Sequence, residues 1–509
     1  MSVAEANDDR SAGDAETAEL ERLANAVLWP GFYGRTVPAW LEEALQHGLA
    51  GVVYFAQNIG PDLAALSAGI RAANPRALIG VDEEGGSVTR LEAATGSTLP
   101  GAAQLGALDD VAATASTGAE LARRVRAVGA DVVLGPVADV NTDPRNPVIG
   151  VRAFGADADL VSRHVVAAVE GIQAGGVAAC VKHFPGHGDT HVDSHHDLPR
   201  IAVDPAEIER VHLGPFRAAI AAGVDAVMTA HIVVPAWGEE PATLNPRVLG
   251  MLREAGFDGV IITDALDMAA IRETVGIGGG GVLALAAGAD LLCIGNPTNP
   301  GAAALPDQDE HDYRTARDAI VGALRDGSLS RERVAEAGAR VARLAAKLAA
   351  ASSAEDADTA PYDGAGIVRR ALRVRGELKT ADAPFVVDAR RSSTLAVDSA
   401  AGYVSEALAA GAATVRLDAA HLDEPQRDAA VAAAVAQADG RRIALLVDRI
   451  DTDPAQRALV GEFAARAAEI VAVNVGLPSG DVGVPVIEVG SASRIGAELA
   501  RERLIGAVR

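Results

Sequence analysis

The chain has 509 residues, 49% of them apolar and 22% charged, with a formal net charge of −24 and a pI near 4.9. This is ordinary globular composition with ample core, in a chain long for one domain and comfortable for two. So negative a protein is a poor partner for nucleic acid or an anionic membrane surface. Aromatics make up only 3%, so the core is expected to consist mostly of Ala, Val, Leu and Ile. Cys180 and Cys293 each lie inside an apolar run and read as reduced core residues rather than a disulfide framework. The N-terminus lacks a basic region followed by an apolar one, and no apolar run approaches the roughly 18 residues of a membrane span. A cytoplasmic location is the resulting expectation.

Residues 1–18 are polar and without period and are expected to be disordered. Apolar runs then alternate with helix-like segments. The runs are Ala26–Pro30, Leu49–Phe55, Ala77–Asp82, Ala130–Pro136, Val177–His183, Val224–Ala230, Gly259–Asp264 and Ala289–Ile294. Helical stretches such as Thr114–Val128, Asp157–Ala174 and Pro205–Ala222 fall between them, and Ser330–Ala351 closes the series. Continuous rather than alternating apolar strands, separated by helices, predict a parallel (β/α)8 barrel, a TIM-like fold, over residues 19–351. A doubly wound open sheet is the weaker alternative. Residues 352–372 read as a linker, and residues 373–509 as a smaller three-layer α/β sandwich domain. Its strand-like runs are Pro384–Val387, Ala413–Leu417, Ile443–Asp448, Ile470–Val475 and Val486–Val489, and no motif in it carries chemistry.

A parallel barrel presents its site at the C-terminal strand ends, so those ends come next in chain order. The third run leads into Asp82-Glu83-Glu84-Gly85-Gly86-Ser87-Val88-Thr89-Arg90, where Asp82 suits either a ligand contact or a turn carboxylate. After the fourth, Asp139 reads as a loop tie, and Arg152 by itself as a solvated loop arginine. After the fifth comes Lys182-His183-Phe184-Pro185-Gly186-His187-Gly188-Asp189-Thr190-His191-Val192-Asp193-Ser194-His195. Five of the chain's 11 histidines fall between His183 and His196. His183, His187, His191 and His195 are four apart, a spacing that could share a metal on a helix. Pro185, Gly186 and Gly188 deny that helix, so no metal is expected. His195 with Asp193 two residues away makes chemical sense as an acid/base pair. His231 ends the sixth run and is taken to line the site. Asp264 emerges from the β-branched run Val260-Ile261-Ile262-Thr263 and is held as a nucleophile must be. Asp267 is read as structural, in the first turn of the helix that follows.

The histidine-rich stretch resembles the signature of the β-N-acetylglucosaminidases of glycoside hydrolase family 3. The segments Val81–Arg90, Ile149–Phe154, Pro241–Asn245 and Thr263–Met268 are similar to that family's segments in the same order. Ser87 stands where many members carry Arg. The resemblance implies a retaining exo-β-N-acetylglucosaminidase that releases GlcNAc from cell-wall or chitin-type glycosides, without a cofactor. It implies Asp264 as nucleophile and His195 with Asp193 as acid/base. Asp82, Arg90, Arg152, Lys182 and His183 would hold the sugar. A phosphorylase using the same site with phosphate as acceptor stays open, as do a metal-dependent hydrolase and an inactive sugar-binding protein. Oligomeric state is not legible.

Overall fold

A computed structural model describes residues 3–190, 198–201, 203–299, 304–351, 361–379, 382–391, 400–418 and 424–506. The apolar runs of the first half form strands β1 (Leu28–Pro30), β2 (Gly51–Tyr54), β3 (Leu78–Val81), β4 (Val132–Val133), β5 (Ala178–Phe184), β6 (Ala226–Thr229), β7 (Val260–Ile262) and β8 (Leu292–Gly295). β2 to β7 pair in sequence order into a parallel six-stranded sheet. A single parallel bridge, Ile262 to Leu291, carries it to β8, which pairs with β1. The α/β class and the parallel pairing match expectation. The continuous eight-stranded ladder does not: β1 pairs with β8 in a separate two-stranded sheet, so the curled sheet is open between β1 and β2.

Alternate residues of these strands point inward and pack on each other. Val53, Leu78, Val132, Cys180, Met228, Ile262 and Cys293 belong to one buried cluster around Trp29. The indole of Trp29 fills the space that a Cβ at Gly80 would enter, 2.2 Å from that position, and donates to the Leu78 carbonyl at 2.9 Å. The other strand faces pack against helices such as Val111–Ala127 and Ala158–Ala174. The two free cysteines are both buried, and burial pushes the Cys180 thiol up to about 12.

The second half builds a six-stranded sheet from β9 (Arg373–Arg375), β10 (Phe385–Asp388), β11 (Thr414–Arg416), β12 (Ile443–Val447), β13 (Ile470–Asn474) and β14 (Val486–Glu488), in the order β11-β10-β12-β13-β14-β9. All neighbours are parallel except β9, which runs antiparallel to β14. Residues of β12 alternate between two buried clusters, Ala444 and Leu446 facing one and Ile443, Leu445 and Val447 the other, so apolar layers cover both faces.

Two expectations are corrected here. The chain is helical from Val3 to Asn25, where residues 1–18 were expected to be disordered. Its Ala and Glu content has high helix propensity even though it offers little apolar stripe. The span read as linker through residue 372 contains the helix Gly364–Ala371, opened by the Asp363 carboxylate accepting the Gly366 N–H, while residues 352–360 lie outside the described residues. That helix buries Ile367 and Val368, an apolar pair too short to stand out in sequence. Among the described residues no helix is long and apolar enough to cross a membrane.

The second sheet's loops press on the loops that follow β3 and β4. The Ser87 Oγ accepts the Ala492 N–H at 2.9 Å and lies 3.3 Å from the Ser491 Oγ. Gln104 donates to the Val489 carbonyl at 2.9 Å, and Arg449 to the Pro147 carbonyl at 3.3 Å.

Candidate active site

The C-terminal ends of several strands of the first half converge on a cavity of about 100 Å³. Its wall includes Asp82, Glu84, Arg90, Arg152, Lys182, His183, His187 and Asp264, with Phe55, Met228 and Cys293 as apolar floor. Five of the six residues expected to bind substrate line this one cavity together with the expected nucleophile. The sixth, His231, is not among its lining residues. Its ring is fully buried and bridges Thr243 Oγ1 (Nδ1, 2.9 Å) and the Ala265 carbonyl (Nε2, 2.9 Å), so it braces the loop after β7.

The charged groups form a chain. Lys182 Nζ donates to Asp82 Oδ1 and Glu84 Oε1, each at 2.8 Å. Arg152 meets Glu84 with two bonds, Nη2 to Oε1 at 2.7 Å and Nε to Oε2 at 2.9 Å. Arg90 Nη2 lies 3.8 Å from Asp82 Oδ2. Burial acts to raise the Glu84 carboxyl, but Arg152 and then Lys182 outweigh it and hold it well below the usual carboxylate range. Asp82 is likewise lowered, burial being overcome by Lys182 and then Arg90. Burial opposes the charge on Lys182, yet Asp82 and Glu84 leave its pKa above the ordinary value. Asp82, Glu84, Lys182 and Arg152 stay ionised near neutrality, a fixed array of donors and acceptors suited to ring hydroxyls. Glu84 was not singled out from the sequence, although it lies within Val81–Arg90, one of the segments that carry the resemblance.

The loop after β5 is non-helical as far as Thr190. Asp139, fully buried, holds its start: Oδ2 bonds His183 Nδ1 at 2.7 Å, while Oδ1 accepts the backbone N–H of His183 at 3.2 Å and of His187 at 2.6 Å. The reading of Asp139 as a loop tie therefore holds. Burial and then the neighbouring His183 push His187 down to about 4, which leaves a neutral ring whose Nδ1 meets Thr190 Oγ1 at 2.8 Å. Asp193 and His195, expected as the acid/base pair, lie outside the described residues.

Asp264 follows β7, where its Oδ1 accepts the Ala265 N–H at 2.8 Å. Asp267 is structural, but not within a helix turn. It precedes the helix Ala269–Arg272 and its Oδ2 accepts from the Asn296 N–H (3.2 Å) and Asn299 Nδ2 (2.7 Å), tying the loop after β8. A turn over Leu266–Met268 delays the helix beyond the first available position.

Beside this cavity, and sharing Val148 with it, a groove of about 270 Å³ separates the loop Asn146–Val151 from the second sheet's Asp448–Thr452 and Val475–Pro478.

Known proteins place this arrangement. The profile of the Glycosyl hydrolase family 3 N terminal domain matches residues 32–344, more than half of the chain. A beta-hexosaminidase of Stenotrophomonas maltophilia (strain R551-3) is 41% identical over 290 residues, which are 53% of this chain and 84% of that protein. The structure of a glycoside hydrolase family 3 beta-N-acetylglucosaminidase from Paenibacillus sp. str. FPU-7 superposes with a TM-score of 0.80 at 29% identity, covering 96% of this chain and 97% of that one. A beta-N-acetylhexosaminidase from Beutenbergia cavernae DSM 12333 superposes with a TM-score of 0.57 at 26% identity, and covers 64% of this chain and 98% of that one. With the family profile spanning the strands and loops that build the cavity, this chain belongs to glycosyl hydrolase family 3 and is a glycoside hydrolase.

Proposed function

We propose that the chain is a retaining exo-β-N-acetylglucosaminidase, releasing GlcNAc from cell-wall or chitin-type glycosides with Asp264 as nucleophile. One observation carries the reading: Asp264, at the end of a rigid strand, shares a single cavity with Asp82, Arg90, Arg152, Lys182 and His183. That cavity offers a carboxylate nucleophile beside a charged cradle for sugar hydroxyls. Asp264 attacks the anomeric carbon, the bond to the leaving oxygen breaks, and a glycosyl-enzyme forms. His195, oriented by Asp193, gives its proton to the leaving oxygen and then takes one from the incoming water. The relatives' names, beta-hexosaminidase and beta-N-acetylglucosaminidase, support the sugar assigned here. The first unit, residues 19–351, is read as the catalytic (β/α)8 barrel and residues 373–509 as a second α/β unit.

Asp264→Ala is expected to abolish turnover of an aryl β-N-acetylglucosaminide without moving the thermal unfolding midpoint, since the side chain faces a cavity. Near-normal turnover by the variant would remove the nucleophile assignment. The same assay run with added inorganic phosphate should leave the product as free GlcNAc, and accumulation of GlcNAc 1-phosphate would make the enzyme a phosphorylase.

A further inference from the structure

Two loops meet at one buried side chain. The loop after β4 carries Arg152, and the loop after β5 carries His187 and continues to Asp193 and His195. Between them lies Asn146, 4% exposed. Its Nδ2 donates to the His187 carbonyl at 2.8 Å and to Thr190 Oγ1 at 3.3 Å. Its Oδ1 accepts the Val148 N–H at 2.9 Å and the Ile149 N–H at 3.0 Å. Both amide protons and both acceptor positions are thereby used, so the orientation of the amide is dictated by its neighbours. Further contacts extend the joint on each side. The Val148 carbonyl accepts Arg152 Nη1 at 3.0 Å, and Thr190 Oγ1 bonds His187 Nδ1 at 2.8 Å. Gly188 packs so tightly that a Cβ there would lie 1.8 Å from the Val140 carbonyl oxygen.

We infer that Asn146 is a positioning residue for the reaction, fixing the root of the loop that bears Asp193 and His195 against the loop that presents Arg152. The inference rests on His195 being the general acid. Thr190 is three residues before Asp193, so the hydrogen bonds at His187 and Thr190 are close covalent anchors for the acid/base pair. A general acid must sit within hydrogen-bond reach of the leaving oxygen, and a displaced root displaces it.

Asn146→Asp separates the two halves of the joint. The carboxylate keeps an acceptor for the Val148 and Ile149 N–H groups, but turns an acceptor toward the His187 carbonyl. Thr190→Val is the second variant, since it removes the hydroxyl that Asn146 and His187 share. Each variant is compared with the unmodified enzyme in kcat/KM on 2,4-dinitrophenyl β-N-acetylglucosaminide and on N,N′-diacetylchitobiose. The dinitrophenolate departs without a proton, and the sugar alcohol needs one. Taking the ratio on one preparation cancels any difference in folded fraction. Complete loss of a general acid is worth about 10²–10⁴-fold, so a mis-set one should move the ratio on the order of tenfold toward the activated substrate. His195→Ala, measured in parallel, should move it further. An unchanged ratio in both Asn146→Asp and Thr190→Val, with His195→Ala shifted, overturns the inference and leaves the glycosidase reading intact. An unchanged ratio in His195→Ala removes the acid assignment, and the inference with it.

Discussion

Glu83 and Glu84 are neighbours in sequence and opposite in electrostatics. Glu84 faces Lys182 and Arg152 and is held ionised, whereas Glu83 turns away and is 1% exposed. The Glu83 Oε2 accepts the backbone N–H groups of Arg90 and Leu91, each at 2.9 Å, so it pins the segment that presents Arg90. Burial dominates and pushes its carboxyl up from 4.5 to about 7, against the pull of Thr89 and those two N–H groups and with some help from the charge of Glu92. A carboxyl whose folded value lies above its unfolded one favours the folded state in its protonated form. Its contribution to stability is therefore full below about pH 4.5 and lost as pH rises through 7. Glu83→Gln keeps an acceptor oxygen and removes that ionisation. Thermal midpoints of the two proteins should converge near pH 4.5 and separate above pH 7, with the glutamine variant the more stable. A gap independent of pH would mean that Glu83 ionises freely. Asp82 and Glu84, both lowered by cations, act in the opposite sense, and their stabilisation is present above the ordinary carboxylate range and lost in acid.

At the scale of elements, the strands were legible because parallel strands buried on both faces leave continuous apolar runs, and the runs of β3, β5 and β7 end at residues that line the cavity, Asp82, His183 and Asp264. Lys182, His183 and Asp264 could be placed on that ground, and the non-helical path from Pro185 to Thr190 follows from Pro185, Gly186 and Gly188. Elements whose stability comes from elsewhere left no such mark. β9 is Arg373-Val374-Arg375, largely exposed and held by pairing to β14, so its own residues carry no strand pattern. His231, taken from the sequence to line the site, bonds Thr243 and the Ala265 carbonyl, and a histidine at a strand end looks alike in sequence in either role. Gly188, read from the sequence as a helix breaker, proves also to be a contact point. Gly188→Ala should cost about 1–3 kcal/mol, the usual scale for overpacking a close contact, and should lower activity beyond the loss in folded fraction. Chemical denaturation and kcat/KM on the same samples check this, and an alanine variant of unchanged stability would show that the two loops separate readily.

The whole molecule places its second sheet where the loops after β3 and β4 need support. Ser87, the departure from the arginine common in the family, is the residue that accepts the Ala492 N–H, so a small side chain at this position lets the two halves approach. Arg449, just beyond β12, reaches the Pro147 carbonyl beside Asn146, and its own backbone N–H is held by Gln456 at 3.0 Å. Gln456 is fully buried and also donates to Asp448 Oδ1 at 2.7 Å, so the loop that carries Arg449 is braced before it touches the first half. The second half thus contacts the segment Asn146–Arg152, the same segment that anchors Arg152 and the root of the histidine loop. If that contact helps set the general acid, Arg449→Ala should shift the same leaving-group ratio in the same direction as Asn146→Asp. The shift should be smaller, about two- to fivefold, because one long hydrogen bond is worth only about 0.5–1 kcal/mol. The thermal midpoint should move little, since the side chain is only partly buried and a single long hydrogen bond is lost. An Arg449→Ala enzyme with both rates and their ratio unchanged would confine the second half to a role away from the reacting loops.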